Sequence, residues 1–106
     1  SRAKPAQPPE APRALLTAPV LERPRGGAYP KAPALVWKAV PGAKLYRVEL
    51  ATTADFTGDV RLQESANPMV DAAAPGAGKW FWRVVAVDAD GFVGYPSKIF
   101  SFDVAG

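Results

Sequence analysis

WFWRVVAVDADG, residues 80–91, decides the fold. Two tryptophans flank a phenylalanine, an alternating apolar run follows, and DADG closes it. The stretch reads either as an aromatic ligand platform backed by a metal loop or as one β-strand and its turn. Successive side chains of a strand point to opposite faces. One face then carries Trp80, Trp82, Val84 and Ala86, and the other Phe81, Arg83, Val85 and Val87. The first face tapers from Trp to Ala, as a core strand does when it meets a second sheet. DADG has acidic residues two apart followed by glycine, as an EF-hand loop begins. Counted from Asp88, however, position 5 is Phe92, position 6 is Val93 instead of glycine, and position 12 is Ile99 instead of glutamate. A turn between strands accounts for Asp88, Asp90 and Gly91 without a metal. A calcium site shared between domains would need further carboxylates from a neighbour.

Outward from this stretch the same texture recurs. In KLYRVELA, Tyr46, Val48 and Leu50 share one face and Arg47 and Glu49 the other. VRLQE puts Val60 and Leu62 on one side, and KIFSFDV alternates Phe100, Phe102 and Val104 with Ser101 and Asp103. PALVWKAV is a short apolar run ended by PGA, and NPMVDAA holds a short strand around Met69 and Val70. TTADFTGD is turn-rich, with Phe56 as its one large apolar group. Between Ala14 and Pro33, LLTAPVL and GGAYP fit one edge strand and a turn. No window has a sustained helical period with caps. Strands of five to eight residues separated by Gly, Pro, Asn or Asp turns predict an all-β, two-sheet antiparallel sandwich of about seven strands. The predicted core is Trp37, Tyr46, Val48, Leu50, Trp80, Trp82, Val84, Phe100 and Phe102. An exposed pair, Trp80 and Phe81, stacking on sugar rings is the alternative for that end of the strand.

The chain of 106 residues is long enough for one real core, and nearly half its residues are apolar. Eight of its twelve prolines lie in residues 1–33. SRAKPAQPPEAPR has little to bury, so residues 1–15 read as a proline-rich linker and 16–106 as the sandwich. Residues 1–33 carry Arg2, Lys4, Arg13, Arg23, Arg25 and Lys31 against Glu10 and Glu22, a net +4. The remainder carries seven basic and eight acidic side chains, a net −1. A nucleic-acid-binding domain concentrates positive charge on its folded part, so nucleic acid is not an expected partner. No apolar run reaches the roughly 20 residues of a membrane helix, and membrane insertion is not expected. SRAKPAQPPE has no apolar signal-peptide core, and the chain is expected to be a piece of something longer.

With no cysteine and no histidine, Ser-His-Asp and Cys-His chemistry cannot be built. The eight acids after residue 33 are spread over turns and strand edges, with no apolar pocket implied to raise one pKa. PGAGK lacks the spacing of a phosphate loop, and Lys79 is followed by Trp80. No enzyme, cofactor or metal is expected. The candidate interaction surface is Phe81, Arg83, Val85 and Val87, less polar than a solvated face, with Phe92 and Tyr95 on the following loop.

VWKAVPGAKLYRVELATTADF and WFWRVVAVDADGFVGYPSKIFSFDV together resemble a fibronectin type III domain, an immunoglobulin-like sandwich. The resemblance covers about residues 18–104. More narrowly, the chain is similar to bacterial modules that follow FecR domains, often with LysM domains, in exported envelope proteins. They share a strand ending in Trp, then PGA, a Tyr-x-Val strand, an aromatic-rich strand ending in AVD-x-DG, and a serine before the last strand. The resemblance implies a non-catalytic structural or protein-interaction module in a periplasmic or cell-envelope protein. Its partners would be other domains of the same chain or another envelope protein. A glycan-binding module using exposed aromatics is the alternative. Trp37 matches the core tryptophan of the second strand, Tyr46 and Val48 the inward pair of the third, and Ser97 the serine opening the last. Trp80 stands where the family usually has a tyrosine whose hydroxyl bonds backbone near the strand corner. An indole N–H donates but cannot accept, so the corner is either rebuilt here or left out. The loop DGFVGYP has no RGD, so integrin recognition is not implied.

Overall fold

The computed structural model describes residues 15–72 and 76–105. The linker expected over residues 1–15 therefore lies outside the described residues, apart from Leu15. Eight strands form, in the order β1 Leu21–Arg23, β2 Ala28–Tyr29, β3 Ala34–Trp37, β4 Leu45–Ala51, β5 Val60–Ser65, β6 Met69–Asp71, β7 Gly78–Val87 and β8 Phe100–Val104. They make two sheets, a three-stranded one ordered β1-β3-β6 and a five-stranded one ordered β2-β8-β7-β4-β5. Among the described residues no helix is long and apolar enough to cross a membrane.

The registers follow the alternation. Along the β4–β7 ladder, Tyr46 faces Ala86, Val48 faces Val84 and Leu50 faces Trp82. All six point inward and are 3 % exposed or less. Across the gap, β3 supplies Leu35 and Trp37 and β1 supplies Leu21. The Trp37 ring lies edge-on to Tyr46 at 5.3 Å and tilted against Trp82 at 6.3 Å. Trp80 and Phe102 are buried in the same cluster, whereas Phe100 is half-buried at its margin. Its position at the start of β8, near the open side of the sandwich, keeps Phe100 from full cover.

Two features differ from the expected pattern. GGAYP is not only a turn: Ala28–Tyr29 pairs parallel with Asp103 and Val104 of β8. Pro24 ends β1, and Gly26 and Gly27, both with φ in the left-handed region, carry the chain from one sheet to the other. The strand count rises to eight for that reason. The second difference is β5. Its period is as expected, but Val60 and Leu62 face solvent at 40 % and 59 % exposure. The inward side carries Arg61, Gln63 and Ser65, opposite Leu50, Val48 and Tyr46. The sandwich is closed there by polar bridges: Gln63 Nε2 donates to the Asp71 carbonyl at 2.8 Å, and Ser65 Oγ donates to the Met69 carbonyl at 2.9 Å. At a rim that water reaches, hydrogen bonds to the neighbouring sheet's backbone displace apolar packing.

The corner before β7 is rebuilt. Trp80 Nε1 donates to the carbonyl of Gly76, four residues upstream, at 3.1 Å. The indole thus ties its strand back to the preceding loop, as a donor must. Two other buried polar side chains hold loops. Tyr46 Oη accepts the Val40 N–H at 2.8 Å, anchoring the turn between β3 and β4. Ser97 Oγ accepts the Val84 N–H at 2.9 Å where β8 has not yet joined β7, and Ser97 N–H donates to the Val84 carbonyl.

The β4–β5 loop is organised by its threonines. Thr53 Oγ1 accepts the N–H groups of Thr57 and Gly58. Asp55 accepts the Thr57 hydroxyl at 2.7 Å. That bond first, then one from Thr53, holds the Asp55 carboxyl below its ordinary value of 3.8. A depressed carboxylate pKa contributes to stability above the unfolded value, and the contribution is lost as pH falls through the folded one. Thr57→Val should therefore move the Asp55 titration upward, read from the carboxyl carbon shift.

Candidate interaction surface

The connection between β7 and β8, residues 88–99, is fastened along its length. Asp88 Oδ1 accepts the N–H of Asp90 at 2.9 Å and of Phe92 at 3.0 Å. The Gly91 N–H donates to the Asp88 carbonyl, and Gly91 sits at φ 87°, where a side chain is strained. One carboxylate oxygen of the acidic pair is thus spent on the turn. Among the described residues, no three His, Cys, Asp or Glu side chains gather into a group that could hold a metal ion. Beyond the turn, Val93 bridges back to Val87, and the Gly94 N–H donates to the Ala86 carbonyl at 2.8 Å. The Tyr95 N–H then donates to the Leu16 carbonyl at 3.1 Å. This approach is close enough that a Cβ on Gly94 would stand 2.6 Å from the Leu16 carbonyl oxygen. Only glycine lets the loop lie against the leading segment there.

A loop so fixed presents Phe92, Val93 and Tyr95 outward, at 49 %, 39 % and 58 % exposure. Leu15, next to the residue that receives the Tyr95 hydrogen bond, is also exposed. The rings are held out by main-chain bonds instead of by burial.

The other four candidate residues do not join them. Phe81, Arg83 and Val85 lie half-buried on the outer face of the five-stranded sheet, opposite Ala51, Glu49 and Arg47. Phe81 and Val87 are separated by about 20 Å along a strand, so the outer face and the loop tip are distinct places. Val87 is buried at 4 % exposure and cannot belong to either. The loop returns beside it, pairing Val93 with Val87 in an antiparallel bridge, so Val87 has a neighbour on each side. Arg83 is engaged as well: Nε donates to Glu49 Oε1, and its guanidinium lies 4.1 Å from the centre of the Phe56 ring. The alternation could not show that Phe56 reaches across to this face. A lone large aromatic in an otherwise polar turn was the signal for it.

Phe56 holds this place at a cost, since its φ is 58°. The left-handed region costs a residue with a Cβ about 1–2 kcal/mol, and glycine almost nothing. Stacking on Arg83 offsets that strain by about 0.5–2 kcal/mol. Phe56→Gly should therefore leave the unfolding free energy nearly unchanged, whereas Phe56→Ala, which keeps the strain and loses the stack, should be less stable by about 1 kcal/mol. Urea midpoints of the two variants check the order.

The indoles offer no stacking platform. Trp37, Trp80 and Trp82 are 3 % exposed or less. Of the pair weighed for sugar stacking, Trp80 is buried and Phe81 half-buried.

A three-stranded sheet packed on a larger one through a Trp-centred core, with the leading strand crossing between them, defines a fibronectin type III-like fold. Solved structures agree. A Fn3-like protein from Clostridium thermocellum superposes with a TM-score of 0.59 at 19 % identity, over 88 % of this chain and 94 % of that one. The fibronectin type III domain of human fibronectin type III domain containing protein 3 superposes with a TM-score of 0.55 at 14 % identity, over 94 % and 93 %. At such identities the likeness is one of fold. No protein-family model matches the chain, and no curated protein matches it.

Proposed function

We propose that this domain is a non-catalytic interaction module of a multidomain exported bacterial protein, and that it meets its partner through the tip of the β7–β8 loop. Residues 1–15 serve as its tether. The observation that carries the reading is the loop itself: Phe92, Val93 and Tyr95 stand exposed on a backbone pinned to Ala86 and Leu16. Pre-organised apolar groups bind without a large ordering cost. Exposed aromatics on a rigid loop are common anchors of protein recognition. The similarity of the strand and turn sequence to modules following FecR domains supports an envelope setting and a partner among envelope proteins or neighbouring domains.

A glycan reading draws on the same two rings, Phe92 and Tyr95, because sugars stack on exposed aromatic faces. A photo-reactive phenylalanine analogue at position 95 in the full-length parent separates the two. In living cells it should give one discrete protein adduct that disappears with Phe92→Ala. Labelled polysaccharide in place of a protein band would replace the protein-interaction reading with the glycan one.

A further inference from the structure

A cavity of about 390 Å³ opens between the two sheets on the side away from β5. Pro19 and Leu21 line it from the leading segment, Pro96, Lys98 and Phe100 from the approach to β8, and Arg25 from the crossing between sheets. Its walls are apolar, its charged lining groups are two cations, and it has no acidic one. The Arg25 guanidinium is held 5.2 Å from the centre of the Phe100 ring, which fixes one cation over an apolar floor. No described residue forms an ion pair with Arg25 or Lys98. The main chain is open there too. Among the described residues Ile99 makes no backbone hydrogen bond, because Ser97 takes the place opposite Val84 and regular pairing resumes only at Phe100. Pro19 and Pro96 carry no N–H, so the opening offers only a short run of backbone and resists open-ended strand addition.

We propose that this groove binds a short, extended, acidic peptide segment. Its carboxylates pair with Arg25 and Lys98, an apolar side chain rests on Phe100 between Pro96 and Leu21, and its backbone bonds Ile99. The argument for the occupant is charge complementarity: two unpaired cations beside an apolar floor suit a segment in which acidic and apolar residues alternate. The open main chain at Ile99 recognises extended backbone, which a small anion lacks. Phe92, Val93 and Tyr95 do not line the groove, so the two surfaces are tested through different residues.

The test is a titration of the 106-residue chain, followed by amide NMR, with a short blocked peptide alternating glutamate and valine. Shifts should cluster on Leu21, Arg25 and residues 97–100, and weaken with added salt. The glutamine counterpart should bind about tenfold more weakly, as expected for the loss of two partly exposed charge pairs. Lys98→Gln and Arg25→Gln, each checked for a dispersed spectrum, should reduce binding of the acidic peptide but not of the glutamine one. Equal binding of both peptides would overturn the proposal, leaving only an apolar groove. So would shifts confined to Phe92 and Tyr95, or no shifts at millimolar peptide. Shifts along 97–100 that grow with protein concentration alone would also overturn it, because a second copy would then be the occupant.

Discussion

Trp82→Ala should destabilise the domain by about 3–5 kcal/mol, the range for truncating a large aromatic in a packed core. Three observations set the size. Trp82 is 0 % exposed and sits opposite Leu50 in the β4–β7 ladder. Its ring contacts both Trp37 and Phe100, the latter edge-on at 6.2 Å. Its Nε1 donates to the Pro24 carbonyl at 3.3 Å, so it also ties the sheet crossing to the core. Domains of this size hold about 5–15 kcal/mol in total, and the substitution should remove a large part of that. Guanidinium unfolding read by far-ultraviolet circular dichroism gives the difference. A change within about 0.5 kcal/mol, normal for surface positions, would mean that Trp82 is not a core residue. Trp37 makes a useful contrast. Its Nε1 is buried with no hydrogen-bond partner among the described residues. Replacing it by Phe gives up no bond, whereas the same change at Trp82 strands the Pro24 carbonyl. Trp82→Phe should therefore cost more than Trp37→Phe.

Tyr46→Phe should cost about 1–3 kcal/mol, although it removes a single oxygen. The Val40 N–H that Tyr46 accepts is buried at the foot of an exposed turn, and a buried donor left without a partner bears its full desolvation penalty. The ring itself still packs on Trp37. The loss should also be local. Ala43 N–H donates to Val40 and Lys44 N–H to Val87, so the turn from 40 to 44 is one hydrogen-bonded unit. Amide exchange at Val40 and Ala43 should accelerate more than exchange at Val48 and Val84, which opens only with the whole domain. Uniform acceleration would place the effect in global stability and deny Tyr46 its role as an anchor.

Much of this architecture could be read from residue order. β4 and β7 were legible because both alternate over seven or more residues and bury the apolar half. β5 shows the limit of that signal. Period two says that Val60 and Leu62 share a face, but not which face turns inward. At the rim, Gln63 and Ser65 had backbone acceptors within reach on β6, and that decided it. β2 was illegible because two residues carry no period; it exists only because β8 offers an edge. The Trp80 corner was legible as a departure but not in its outcome, since the Gly76 carbonyl is brought within reach by the loop. At the candidate surface, loop position was enough to mark Phe92 and Tyr95. Val87 looked equivalent by alternation, but it is buried, with Val93 paired beside it by the loop's return, and alternation does not show that pairing. Phe56 had no strand period at all, and its contact with Arg83 spans two elements.

The tryptophans are buried in the sandwich core, and the function proposed for the β7–β8 loop is contact with a protein and not with glycan. Indole and backbone N–H spectra of the domain, recorded during addition of soluble peptidoglycan and polysaccharide fragments, test it most directly. Three indole signals and the loop amides over 90–96 should stay in place throughout. Shifts gathered on 90–96, or on the Trp80 indole, would contradict it and make this a glycan-binding module.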